Sequence, residues 1–130
     1  MKTDSAEGGK RTRMIFMHIN SKEKSAAIKR LAAKTGERTK DIGYPDLNRT
    51  LLGLHAGKNI TEKIEIPPLY QMPELIVFAG VPEERLDFFL EEYKKAGIEP
   101  VALKAVSTMH NGSWTVFELI GRLQEECGHL

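Results

Sequence analysis

Apolar residues fall along this chain in two patterns, and together they lay out its elements. Unbroken runs of strand length stand at 14–17 and 75–79, the pattern of strands covered on both faces. Spaced runs mark helices. The fullest set of signals lies in 73–106. Gly80 breaks the second strand, and Pro82 suits a first helical position, where its missing N–H has no acceptor to lose. Glu83, Glu84 and Asp87 follow where carboxylates oppose the positive end of the helix dipole. Leu86, Phe89, Leu90 and Tyr93 form one apolar stripe, Lys94 and Lys95 occupy the last turn, and Gly97 supplies a left-handed stop. A further strand runs from Val101 to Val106.

The earlier part repeats this grammar less clearly. A first strand covers 13–19, and Asn20 or Ser21 caps a helix running to about Thr35, with Gly36 as its stop. Ala27, Ile28, Leu31 and Ala32 form its apolar face; Lys22, Lys29, Arg30 and Lys34 form a basic one. Residues 39–43 are a short edge strand. Asp46 is placed to cap a second helix carrying Leu47, Leu51 and Leu54, ended by Gly57 and weakened by Gly53. Residues 58–72 form a long loop, with a brief edge strand around Ile64 and Ile66 stopped at Pro67; the loop packs Ile66, Leu69 and Tyr70 onto the domain. A last helix runs from Trp114 to about Cys127, capped by Ser113, with Val116, Leu119, Ile120 and Leu123 inward. Residues 1–12 are a mobile tail, 13–127 form a single domain, and no internal repeat is visible.

Strand and helix alternate four times. Right-handed crossovers then predict a small three-layer, doubly wound α/β fold with a four-stranded parallel sheet, order 2-1-3-4. The first and last helices share one face, the second and third the other. The alternative is a ferredoxin-like α+β sandwich, in which the second and third strands join without a crossover helix.

Composition adds location and charge. No apolar run approaches the length of a membrane span, the N-terminus has no secretory pattern, and a lone cysteine, Cys127, reads as a small apolar residue near a helix end in a reducing cytoplasm. The net charge is +1, yet residues 1–65 hold 14 Lys/Arg against 8 Asp/Glu, and residues 66–130 hold 5 against 10. Such asymmetry can steer a partner or drive self-association through opposite-charge faces; two differently solvated helix faces explain it more simply.

Residues 73–80, Arg85-Leu86, Ala96-Gly97-Ile98, Leu103-Lys104-Ala105-Val106, Thr108, Asn111 and Trp114 resemble a small bacterial domain of unknown function, about sixty residues long. The resemblance spans roughly Pro73 to Glu126, and residues before it, such as Asp46-Leu47-Asn48, resemble the segment that often precedes that domain. It implies a bacterial cytoplasmic protein and assigns no activity or site residue.

In a parallel sheet, ligands bind beyond the carboxyl ends of the strands where strand order reverses. The candidates there are His18 and Asn20 after the first strand, and Lys104, Ser107, Thr108, Asn111 and Trp114 from the fourth strand, the loop after it and the start of the last helix. Lys104 in an apolar strand can bind an anion or form a Schiff base; as an edge lysine it simply reaches water. The 107–111 loop can hold an anion at a helix N-terminus or merely cap that helix. His18 suits a hydrogen-bonded core position better than a catalytic base, and Trp114 a core or lid aromatic better than a ligand stacker.

Phosphate-loop, dinucleotide, nucleophile-elbow and zinc signatures are absent, and the four histidines lack metal-ligand spacing, so no cofactor and no metal are predicted. The expectation is a non-enzymatic binding or regulatory module using the carboxyl edge of the sheet, with an unknown protein or a small anionic metabolite as partner. The alternative is an enzyme or anion-binding domain centred on Lys104 and the 107–111 loop. Membrane and nucleic-acid partners are disfavoured by the near-neutral, span-free chain.

Overall fold

Two strands, one buried throughout and one buried at its centre, form the middle of the sheet. In the computed structural model, which describes residues 13–108 and 110–128 and only the backbone of 127–128, β1 (Met14–His18) lies beside β3 (Leu75–Ala79), every residue of β3 being buried. The expected tail 1–12 and the environment of Cys127 lie outside the described residues. Around that pair stand α1 (Lys22–Lys34), β2 (Thr39–Asp41), a 3-10 turn (Tyr44–Asp46), α2 (Leu51–Ala56), α3 (Glu83–Lys95), β4 (Leu103–Ser107) and α4 (Val116–Gly128). Among the described residues no helix is long and apolar enough to cross a membrane.

The strand order is β2-β1-β3-β4, as expected, but the sheet is mixed. β1 and β2 are parallel, β3 and β4 are parallel, and β1 and β3 are antiparallel, with Phe16 opposite Val77. The all-parallel expectation therefore fails at the central pair, and the ferredoxin-like alternative fails on strand order. The cause lies in 42–74. One helical pass would have carried the chain to the opposite rim; instead it goes out and comes back. Thr61 bridges Arg49, and Glu62 N donates to Asn48 O (2.9 Å); ten residues on, Met72 N donates to the Tyr44 hydroxyl (2.9 Å), beside the end of β2. The long loop is thus a return pass in extended form. Ile66 and Tyr70 pack on the core as expected, whereas Leu69 is 91% exposed and no strand forms at Ile64.

Reversing β3 also moves a helix. A crossover of fixed hand puts its helix on the other face when strand direction reverses. α1 and α3, the first and third helices, accordingly share one face with Ile15, Met17, Ile76 and Phe78. α2 and α4 share the other, with Phe16, Leu75, Val77 and Leu103. The expected grouping of first with last is correct for neither face.

These corrections have one source, an internal two-fold repeat. β1 recurs as β3, α1 as α3 and Gly36 as Gly97, each 61 positions on, and both glycines have positive φ. Thr50 recurs as Thr115, 65 positions on, and the two form an antiparallel bridge. The hydrogen bonds about it are reciprocal: Leu51 N to Trp114 O (2.9 Å) answers Val116 N to Arg49 O (3.0 Å), and Leu52 N to Gly112 O (2.9 Å) answers Phe117 N to Leu47 O (3.0 Å). The pseudo-axis passes through the Phe16–Val77 pair and between the two threonines. Each half is one β-α-β-α unit, completed by the other.

Matched positions do matched work. Ile28 and Phe89 are the buried anchors of α1 and α3. Lys24 and Arg85, each third in its helix, donate across to the carbonyls of Pro100 and Thr35, ahead of β4 and β2. Lys24 also binds Glu74 (2.7 Å), and Arg85 binds the buried Glu37 (3.3 Å), which Arg13 approaches from the other side at 3.5 Å. The true caps of α2 and α4 are Thr50 and Thr115, whose hydroxyls accept from Gly53 N and Glu118 N, rather than Asp46 and Ser113. Asp46 instead accepts from Gly43 N and closes the 3-10 turn.

Candidate functional site

Antiparallel pairing of β1 with β3 splits the expected site between two rims. His18 and Asn20 lie at the carboxyl ends of β1 and β2; Ser107, Thr108 and Asn111 lie at the opposite rim, beyond the carboxyl end of β4. Lys104 is exposed on edge strand β4, opposite Ile76, and so is open to water. In the loop after β4, Thr108 and Asn111 bond to each other and to neighbouring main chain. Thr108 N donates to Asn111 Oδ1 (2.7 Å), Asn111 Nδ2 to Val106 O (3.1 Å), and His110 N and Asn111 N both reach Thr108 Oγ1. Trp114 is half-buried against the α2/α4 core, its outer face covered by the Arg122 guanidinium at 4.2 Å. Core packing accounts for it.

The remaining pair sits in a better place. β1 and β2 are parallel, so their carboxyl ends meet beside the start of α1, where an open cleft of about 400 Å³ is lined by His18, Asn20, Lys22, Ser25, Lys29 and Asp41. Local chemistry builds each wall. Ser21 leaves the strand in extended conformation and caps α1 by accepting from Lys24 N (3.2 Å), which aims the first helical turn at the cleft. N–H groups of that turn have no acceptor within the helix and face outward with the positive end of its dipole.

His18 is fixed by its Nδ1, 3.1 Å from Ile42 O, and by the Tyr44 ring, edge-on at 6.2 Å. A carbonyl accepts only from N–H, so Nδ1 carries a proton, and Nε2 accepts when the ring is neutral and donates when it is charged. Lys29 Nζ pairs with Asp41 Oδ2 at 2.8 Å. Behind the cleft, Glu74 receives Asn20 N (3.0 Å) and Lys24 Nζ (2.7 Å). Burial pushes its pKa up, but the hydrogen bonds from Lys24 and Asn20, with the Lys24 and His18 charges, outweigh this and hold it below the usual value. Sequence reasoning reached His18 and Asn20 but missed Lys22, Ser25, Lys29 and Asp41 as companions. The signal was present: Lys22 and Lys29 share one side of α1.

The internal repeat supplies a control for this cleft. In the second unit the positions of His18, Asn20, Ser25 and Lys29 are taken by Ala79, Val81, Leu86 and Leu90, and that of Asp41 by Val106. Val81, Leu86 and Leu90 pack against the core there. Ala79 is buried as well, whereas Val106 is exposed, so four of the five places are packed by apolar side chains in the second unit and carry polar ones in the first. Lys22 has Glu83 as its counterpart.

By architecture this is an α/β protein with a four-stranded mixed sheet made of two β-α-β-α units. Residues 74–127, most of the second unit, match a family described as a domain of unknown function (DUF3783). No curated protein and no solved structure matches the chain.

Proposed function

We propose that this protein is a non-enzymatic binding module that holds a small anionic ligand, a phosphate or carboxylate compound, in the cleft at the carboxyl ends of β1 and β2. The observation that carries this reading is the concentration there of His18, Asn20, Ser25, Lys29 and Asp41, whose counterparts in the second unit are all apolar. Lys22 and the start of α1 favour negative charge, Lys29 keeps donors beyond its pair with Asp41, and Asn20 and Ser25 offer directional hydrogen bonds. A binder is favoured over a catalyst because His18 is held by a main-chain carbonyl rather than by an orienting carboxylate, and Asp41 is neutralised by Lys29. The enzymatic alternative centred on Lys104 loses support, since Lys104 and the 107–111 loop converge with neither His18 nor Asn20. A reducing cytoplasm fits the single cysteine and is part of the same proposal.

The test is a titration of the isotopically labelled full chain with inorganic phosphate, a dicarboxylate and a nucleoside monophosphate, followed by amide NMR. Saturable shifts confined to residues 18–29, weakened about tenfold or more in Lys22→Ala/Lys29→Ala, would support the cleft, a loss of the size expected for charge-assisted hydrogen bonds. No saturable shift with any probe would end this reading. Shifts confined to 107–113 would return the site to the β4 rim.

A further inference from the structure

The helix layer beside the cleft is a second feature, joined to it at Lys22, Ala26 and Lys29. We infer that the exposed face of α1 and α3 is where a second copy of this chain docks, about a two-fold axis parallel to the helices. α1 follows β1, and α3 follows its antiparallel neighbour, so the two helices run in opposite directions on one face of the sheet. Their outer surfaces carry opposite charge. α1 exposes Lys22, Lys29, Arg30 and Lys34, with Glu23 in its first turn. α3 exposes Glu83, Glu84, Asp87 and Glu91, with Lys94 and Lys95 in its last turn.

Two face-to-face two-fold arrangements exist for such a layer. An axis across the helices puts α1 on α1 and α3 on α3, like charge against like. An axis along the helices puts α1 of one copy on α3 of the other, antiparallel. Then Arg30 and Lys34, near the end of α1, face Glu83, Glu84 and Asp87 at the start of α3, while Glu23 faces Lys94 and Lys95. The carboxyl-terminal block of α1 thus meets opposite charge, at the other end Glu23 offsets Lys22 before Lys94 and Lys95, and the helix dipoles oppose as well. Near the middle, Phe88, 41% exposed on α3, comes down on a stretch of α1 whose exposed Ala26 and Ala33 leave it room. The contact is isologous, as expected of a closed dimer.

Its size sets its strength. Each helix has 13 residues and so is ~20 Å long. Two such helices side by side offer on the order of 400 Å² per copy, at the low end for specific interfaces. The association is therefore weak, charge-driven and sensitive to salt.

Sedimentation velocity on the full chain, over a concentration series in low and high salt, tests this. The expected result is a mass rising toward twice the monomer in low salt and returning to the monomer in high salt. Arg30→Glu/Lys34→Glu and Glu84→Lys/Asp87→Lys should each stay monomeric alone, through repulsion at both symmetric contacts. An equimolar mixture of the two should recover the dimer. A monomer at every concentration in low salt, a dimer indifferent to the reversals, or folded variants that fail to recover on mixing would each overturn the inference. Should a variant lose its folded circular dichroism, the concentration and salt series on the unaltered chain decides the matter. None of the four altered residues lines the ligand cleft, so its failure and that of the binding proposal are read separately.

Discussion

Thr50 and Thr115 face each other across the pseudo-two-fold axis, each buried, each bridged to the other, and each capping the helix that comes after it. One residue type thus does the same two jobs at equivalent points of the two units. Thr50→Ala and Thr115→Ala should each cost about 1–2 kcal/mol, the upper part of the range for a lost N-cap, because both sites are buried. Urea unfolding checks this. A loss of only a few tenths at either position would mean that the bridge, and not the hydroxyl, holds that helix start.

Arg85 tests the cross-unit clamp. It donates to the Thr35 carbonyl and binds Glu37, whose side chain is 1% exposed. Arg85→Met should cost about 2–3 kcal/mol by leaving a buried carboxylate short of partners, below the value for a wholly buried pair because Arg85 is itself 36% exposed. Adding Glu37→Met should restore much of the loss. A double variant worse than the sum of its parts would contradict this account.

Glu74 predicts a pH dependence. Its folded pKa lies below the ordinary 4.5, because the bonds from Lys24 and Asn20 and the neighbouring charges outweigh the effect of burial. A carboxylate depressed on folding contributes stability that is fully present above its unfolded value and is lost as pH falls through the folded one. Glu74→Gln should therefore be destabilising at pH 7, and the gap from the unaltered chain should close as pH falls below about 4.5. Denaturant midpoints at pH 7, 5, 4 and 3 measure it. A gap that stays constant would show that Glu74 acts through shape alone.

Gly53 inverts the propensity argument. In a short helix, Gly→Ala should stabilise by about 1 kcal/mol. Here an added Cβ would lie 3.0 Å from Ile60 Cβ and Thr50 Oγ1 and 3.1 Å from the Lys58 carbonyl, where the chain turns back. Gly53→Ala should instead destabilise by about 1–2 kcal/mol, the ordinary cost of overpacking. A rise in melting temperature would refute the close approach.

Lys104 should be silent. It is an exposed residue of edge strand β4, so Lys104→Ala should change stability by no more than about 0.5 kcal/mol and leave anion binding unaltered. Loss of phosphate or carboxylate binding in that variant would move the site away from the β1/β2 cleft.

Local chemistry in the sequence placed β1, α1, β3 and α3 within a residue or two, because Ser21, Gly36, Pro82 and Gly97 act on their immediate neighbours. It also placed Phe89 and Ile28 within their apolar stripes. Strand direction was out of reach, since it depends on how often the chain crosses the domain between Ile42 and Glu74. The return pass there has no periodicity to count, only Ile66, Tyr70 and Met72 packed one by one. The repeat stayed hidden for a related reason: Met14 with Leu75, or Ile28 with Phe89, satisfies the same burial without identity. With direction wrong, residues that share an expected rim were dispersed, and only His18 and Asn20 kept company with a cleft.

The edge of β3 that faces β1 carries a further implication. Cut free from its mate, the segment spanning 74–127 would leave the main-chain N–H and C=O groups of an all-apolar strand unpaired along that flank and lose the threonine that meets Thr115. A polypeptide holding a single unit of this kind would be expected to borrow the missing flank from another molecule, reproducing as a symmetric pair what this chain achieves within itself. With both units in one chain that flank is always covered, whichever side chains, polar in the first unit or apolar in the second, stand at the far ends of the strands.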